Sequence, residues 1–241
     1  VAIAADSSGS TLIATSVTTA NADITAAAAG AWCYALLALG VSQAGAVTWT
    51  GWTQVLEGDE GTATHYALYR RQKIAGDTTF AVTWGTATRG DIGWASFAGA
   101  DGTTPDELAA ATLHTASGTA YPTPSLTPGG TGRWAATFTW SRSTTSANQT
   151  ESYTPDAALT ERVDVNDGAN PWVPLEVADS NGTVTAAAHS YTATMTTTGA
   201  SALASHGGAI LLFIVPAAAA AGATPVPLVV PQAAVMQAAN W

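Results

Sequence analysis

The chain has 241 residues, enough for a large core, and 47% of them are hydrophobic while only 10% are charged, against a usual charged share of about 25%. Its net charge of −10 comes from seventeen acids and seven basic residues, with Lys73 the single lysine and no Lys or Arg ahead of Arg70. That balance excludes the basic surface a nucleic-acid backbone requires, so no nucleic acid is expected as partner.

Thr, Ser, Gly and Ala take the place of the missing charges, which suits β-surfaces and turns better than solvent-facing helices. The first residues lack the basic region of a signal peptide, and loss of an initiator Met is the simplest origin of Val1. The first expected strand is 11–17. Next comes 31–39, apolar on both faces and too short for a membrane span, so no membrane partner is expected. The lone cysteine, Cys33, lies in this run and is expected to be a small buried hydrophobe. Residues 47–56 and 64–74 follow, separated by the acidic run Glu57, Asp59 and Glu60, expected to be a solvated hairpin tip. A turn at 75–77 leads into 78–84, where Phe80, Val82 and Trp84 alternate inward.

Strands at 91–97, 133–140, 159–165, 173–178, 183–195 and 209–215 complete the series, with a helical turn expected only at 106–111. Gly93 suits close sheet packing. Two long stretches, 99–132 and 141–156, are rich in Pro, Gly, Ser and Thr and are expected to be loops at one end of the domain. About a dozen short strands predict an all-β fold: an antiparallel β-sandwich, jelly-roll-like, with an extended immunoglobulin-like sandwich as runner-up. The domain is expected to span 1–216.

From Pro216 to Trp241 no residue is charged. Pro216, Pro225, Pro227 and Pro231 exclude a continuous helix and favour extended backbone. Disordered tails stay soluble through charge, whereas this one carries Val226, Leu228, Val229, Val230, Val235, Met236 and Trp241. Extended at about 3.3 Å per residue it reaches roughly 85 Å, against a radius of gyration of about 17 Å for the domain. Residues 217–241 therefore read as an apolar docking arm, and those seven side chains as its partner-binding residues. A homo-oligomer or larger assembly is expected.

Motifs that carry chemistry are few. There is no G-x-S-x-G, and Lys73 does not sit in a phosphate-binding loop. His65, His114, His189 and His206 lack zinc-ligand spacing. The run from Asp164 to Gly168 approaches the start of a calcium loop with Glu176 twelve residues on, but it is one residue short and Pro171 and Pro174 interrupt it. An Asx-turn connection is the expectation there, with no metal and no cofactor. Most of the nine tryptophans fit core positions. Tyr121, Tyr153 and Trp172, in expected loops, are the candidate glycan-binding residues. No catalytic residue is expected.

The run from Trp52-Thr53 through Tyr66, Tyr69-Arg70-Arg71, Gly76-Asp77 and Thr83-Trp84 to Phe97 and Asp101 resembles a β-sandwich module of tailed-phage structural proteins, those of actinobacterial phages in particular. The resemblance covers residues 49–105, and the ending AAVMQAANW is also similar to C-termini of phage virion proteins. It implies a non-enzymatic virion protein, assembled in the host cytoplasm: a capsid decoration or minor capsid protein bound to the major capsid protein or another virion protein. A tail-associated protein or a carbohydrate-binding adhesion module on a host glycan is the alternative. A glycan hydrolase with unrecognised carboxylates is a third reading.

Overall fold

The computed structural model describes residues 2–115, 118–142, 150–165, 173–198 and 206–218. Fourteen strands lie within them: β1 (Ala4–Asp23), β2 (Trp32–Leu39), β3 (Thr48–Trp49), β4 (Thr53–Glu60), β5 (Thr64–Gln72), β6 (Thr79–Ala98) and β7 (Asp106–His114), then β8 (Ala120–Pro122), β9 (Trp134–Arg142), β10 (Thr150–Thr154), β11 (Thr160–Val165), β12 (Leu175–Asp179), β13 (Thr192–Thr198) and β14 (His206–Ile214). All the strand pairings are antiparallel. The first six strands form one sheet in the order β1-β6-β2-β5-β4, with β3 also on β6. The others form a five-stranded sheet, β11-β12-β9-β14-β7, and a three-stranded one, β10-β13-β8. The all-β, antiparallel expectation holds.

Alternation along the strands builds the core on both faces of the central strands. On β2, Tyr34, Leu36 and Ala38 face one cluster, while Cys33, Ala35, Leu37 and Leu39 face another. The first cluster is shared with the five-stranded sheet through Phe138, Trp140, Leu175, Ile210 and Leu212. Tyr66 of β5 and Trp140 of β9 meet across it with ring centroids 4.5 Å apart. At Gly93 of β6 an added Cβ would lie 2.2 Å from Leu175 Cδ2, so the absent side chain sets how closely the sheets approach. On its other face the five-stranded sheet packs Ala209, Leu211 and Phe213 against Tyr121, Tyr153, Tyr191 and Met195.

Strands β1 and β6 have 20 residues each, about 66 Å if straight, far more than the domain can span. They bend instead. Register slips between Ile13 and Val17 and again between Val17 and Thr19 mark the corner. Beyond it Ala22, Trp49, Val82 and Trp84 close over Leu37 and Trp94 on the second face of β2. Residues 78–84 and 91–97, expected as two strands, are thus parts of one.

Residues 106–111 are β7 and not a helical turn. Their Glu, Leu and Ala favour a helix locally, but the open edge of β14 pairs with them from Asp106 to His114. A bulge breaks that ladder, and Leu108 in it has φ of 57°. The expected loop 99–132 therefore holds β7 and β8, and 141–156 holds β10.

Candidate functional site

The tip of the β4–β5 hairpin carries the first cluster of titratable groups. His65 Nδ1 lies 2.9 Å from Asp59 Oδ1, and its Nε2 lies 3.2 Å from Glu57 Oε1. The same carboxylates accept backbone N–H bonds from Gln43 at 3.1 Å and Val47 at 2.8 Å. Glu60 is buried and its Oε2 is 2.8 Å from His206 Nδ1, at the start of β14. Of the three acids only Asp59 keeps substantial exposure. The expected solvated tip is therefore a clamp, in which the acids are used up in holding the 41–47 segment and the β14 entrance.

The second cluster lies where the five- and three-stranded sheets meet. Asp164 and Glu176, twelve apart in sequence, stand directly opposite each other on β11 and β12. Ser152 of β10 donates its hydroxyl to Asp164 Oδ2 at 2.6 Å. Burial pushes the Asp164 carboxyl above its usual range. Glu176 is 1% exposed, and burial, reinforced by Glu161 and Asp164, pushes it up to about 8. The space around Glu176, bounded by Thr137, Thr139, Asp156 and Tyr191, is too tight for a water molecule. Glu176 is thus held protonated at pH 7, and among the described residues the space beside it admits no water. Arg162 serves a different carboxylate, Asp179, by a two-pronged contact at 2.6 and 3.0 Å. Among the described residues no three His, Cys, Asp or Glu side chains group to hold a metal ion. Asn166 to Gly168 lie outside the described residues.

The candidate glycan-binding tyrosines are core residues. Tyr121 and Tyr153 are each 2% exposed. They pack edge to face at 5.7 Å, which leaves no ring face on which a sugar could stack. This corrects their assignment to binding loops: Tyr121 is on β8 and Tyr153 on β10, and both turn toward β14. Trp172 lies outside the described residues. Trp49, Trp52, Trp84, Trp94, Trp134 and Trp140 are buried, as expected.

The arm residues Val226, Leu228, Val229, Val230, Val235, Met236 and Trp241 also lie outside the described residues. The arm's departure point is described. Pro216 bridges to Ala100, and Ala217 donates its N–H to the Gly99 carbonyl at 2.8 Å. The chain thus leaves the domain beside the end of β6, where β1 begins with Ala4 opposite Ala98.

Among the outer strands of the described sheets, β1 has the longest edge. In the first sheet β1 and β4 are the outer strands. The 41–47 segment crosses β4 through its bonds to Glu57 and Asp59. On β1 no residue between Asp6 and Asp23 is ionisable, and none in the strand is Pro, Lys or Arg. Such residues are the usual protection of an exposed edge. Its exposed side chains include Leu12. At the corner of β1 a groove of about 310 Å³ is lined by this strand alone, from Thr11 to Asn21. No helix of the described residues is long and apolar enough to cross a membrane. Comparison with family models, with curated proteins and with solved structures finds no match.

Proposed function

We propose that the protein is a non-enzymatic structural component of a phage virion, a capsid decoration or minor capsid protein fastened by its 217–241 arm to the major capsid protein or another virion protein. The observation that carries this reading is the contrast between the two parts of the chain. In the body, the prominent acids are sealed in a clamp at Glu57 and Glu60 or buried at Glu176 beside a space that admits no water. The segment that follows is free of charge through Trp241. Those acids are taken up inside the first part, and the second is uncharged and rich in apolar residues. A low-charge Thr/Ser surface also suits copies packed closely together, because it limits mutual repulsion.

The body itself we read as a jelly-roll-like β-sandwich. Two observations support this: the first sheet and the five-stranded sheet share one core cluster, and from β7 to β10 the chain alternates between the five- and three-stranded sheets. The test is particle occupancy. Deleting 225–241 is expected to leave a folded, soluble protein whose copy number per purified particle collapses. Loss of a buried Trp costs about 3–5 kcal/mol, and even about 3 kcal/mol is more than hundredfold in affinity. Wild-type occupancy in the deletion would sink the reading.

A further inference from the structure

The prolines of the arm follow a parity. Pro225, Pro227 and Pro231 are all at odd positions, and the intervening even positions hold Val226, Leu228 and Val230, followed by Gln232. In extended backbone the N–H and C=O groups of one residue point to the same side, and those of the next residue to the other. A strand over 225–232 therefore has one edge with every donor intact, formed by the even residues. Its other edge lacks three of four donors, because proline has no N–H. Such a segment is fit to be the last strand of a sheet, paired on one side and blunt on the other.

We propose that this segment adds as a strand to the free edge of β1 in a second copy of this chain, along residues 9–13. The proposal rests on the reading of this segment as a docking arm and names a neighbouring copy of this chain, in place of the major capsid protein, as the virion protein that receives it. The receiving stretch pairs with β6 in unbroken register from Gly9 opposite Trp94 to Ile13 opposite Gly90. No other strand pairs with its outer edge among the described residues, and the Thr11 hydroxyl within it donates to the Asn21 carbonyl of the same strand at 2.8 Å. Charge selects the occupant. Each copy carries −10, so two copies approach at least cost where neither presents a carboxylate. The chain beyond Pro216 and β1 between Asp6 and Asp23 are such stretches. Length permits it as well: the seven residues between Ala217 and Pro225 span roughly 25 Å when extended, enough to leave one body for the next. The even residues bond to β1, and the odd, proline-bearing edge ends the sheet, so one arm saturates one edge.

The test uses the purified full chain and two single substitutions of equal kind. Leu228→Pro removes a donor from the bonding edge, whereas Val229→Pro removes one from the blunt edge. Hydrogen–deuterium exchange of the 9–13 amides and sedimentation are read across a dilution series. In the wild-type chain and Val229→Pro, the alternate amides of this stretch that point away from β6 are expected to be protected and the protection lost on dilution. Leu228→Pro is expected to weaken self-association about tenfold, the effect of roughly 1.4 kcal/mol. Equal behaviour of the two variants overturns strand addition. Protection that does not change with dilution assigns the edge to the chain's own arm and overturns the second copy. Because no particle is involved, either failure is distinct from a failure of virion incorporation.

Discussion

Glu176 shows at the scale of one residue how burial converts a charge into a liability. Its carboxyl titrates near 8 in the folded chain, against an ordinary 4.5. The folded state therefore holds a proton that the unfolded chain gives up. The contribution of this group to stability is greatest below pH 4.5, is lost progressively as pH rises to about 8, and is flat beyond. A difference of this size is worth on the order of 5 kcal/mol. Glu176→Gln keeps the shape without the ionisation, so its melting temperature at about pH 8.5 is expected to exceed the wild type by roughly 10 °C or more. The difference should vanish near pH 4.5; a constant difference across pH would refute the buried-acid account. Gly93 makes the complementary point about space. Leu175 is fully buried where a Cβ at 93 would intrude, so Gly93→Ala is expected to cost about 1–3 kcal/mol. Gly85, on the same strand, has nothing within 4 Å of its would-be Cβ. Gly85→Ala is expected to change stability by less than about 0.5 kcal/mol, and thermal unfolding of the pair compares them directly.

At the scale of elements, β7 is tied to the first sheet by Asp106. The carboxylate accepts the Tyr34 hydroxyl of β2 at 2.8 Å and pairs with Arg70 of β5. Three strands from two sheets depend on this one side chain. Asp106→Ala leaves a buried hydroxyl and a largely covered guanidinium without their acceptor, a loss on the order of 3 kcal/mol. Urea unfolding should show a lower midpoint with an unchanged slope. An unchanged midpoint would mean that β14 alone holds β7. The bulge at Leu108 belongs to the same element, since it lets Glu107 accept from Gly129 at 2.7 Å and from Arg133 at 3.1 Å while the ladder continues beyond it.

Across the whole molecule, β14 and the short stretch after it are the last described part of the body. Ile214 is fully buried, and Val215 to Ala217 are hydrogen-bonded to 99–105. A chain ending at Ala218 keeps all of these contacts. Its near- and far-ultraviolet circular dichroism are expected to match those of the full chain at dilutions where the full chain is monomeric, apart from the signal of Trp241. Loss of the near-ultraviolet bands would place 219–241 in the core. Closure of the fold is long-range, with Ala4 opposite Ala98 and the Ser8 hydroxyl donating to the Arg162 carbonyl at 3.0 Å.

The amino-acid sequence by itself determined the strand class, most strand positions and the absence of charge after Pro216, because alternation, turn residues and composition are local properties. Cys33, the buried tryptophans and the last strand were legible for the same reason. Only the tertiary structure decided that 106–111 is a strand, since the pairing offered by β14 outweighs a weak helical preference. It also decided that Tyr121 and Tyr153 are core residues and that Glu57 and Glu60 are partners of two histidines. The nearest sequence clue to the acid pair was the twelve-residue interval between Asp164 and Glu176, which the antiparallel pairing of β11 with β12 brings face to face. Burial and cross-strand register are set by residues far away in the chain, and no local pattern contains them.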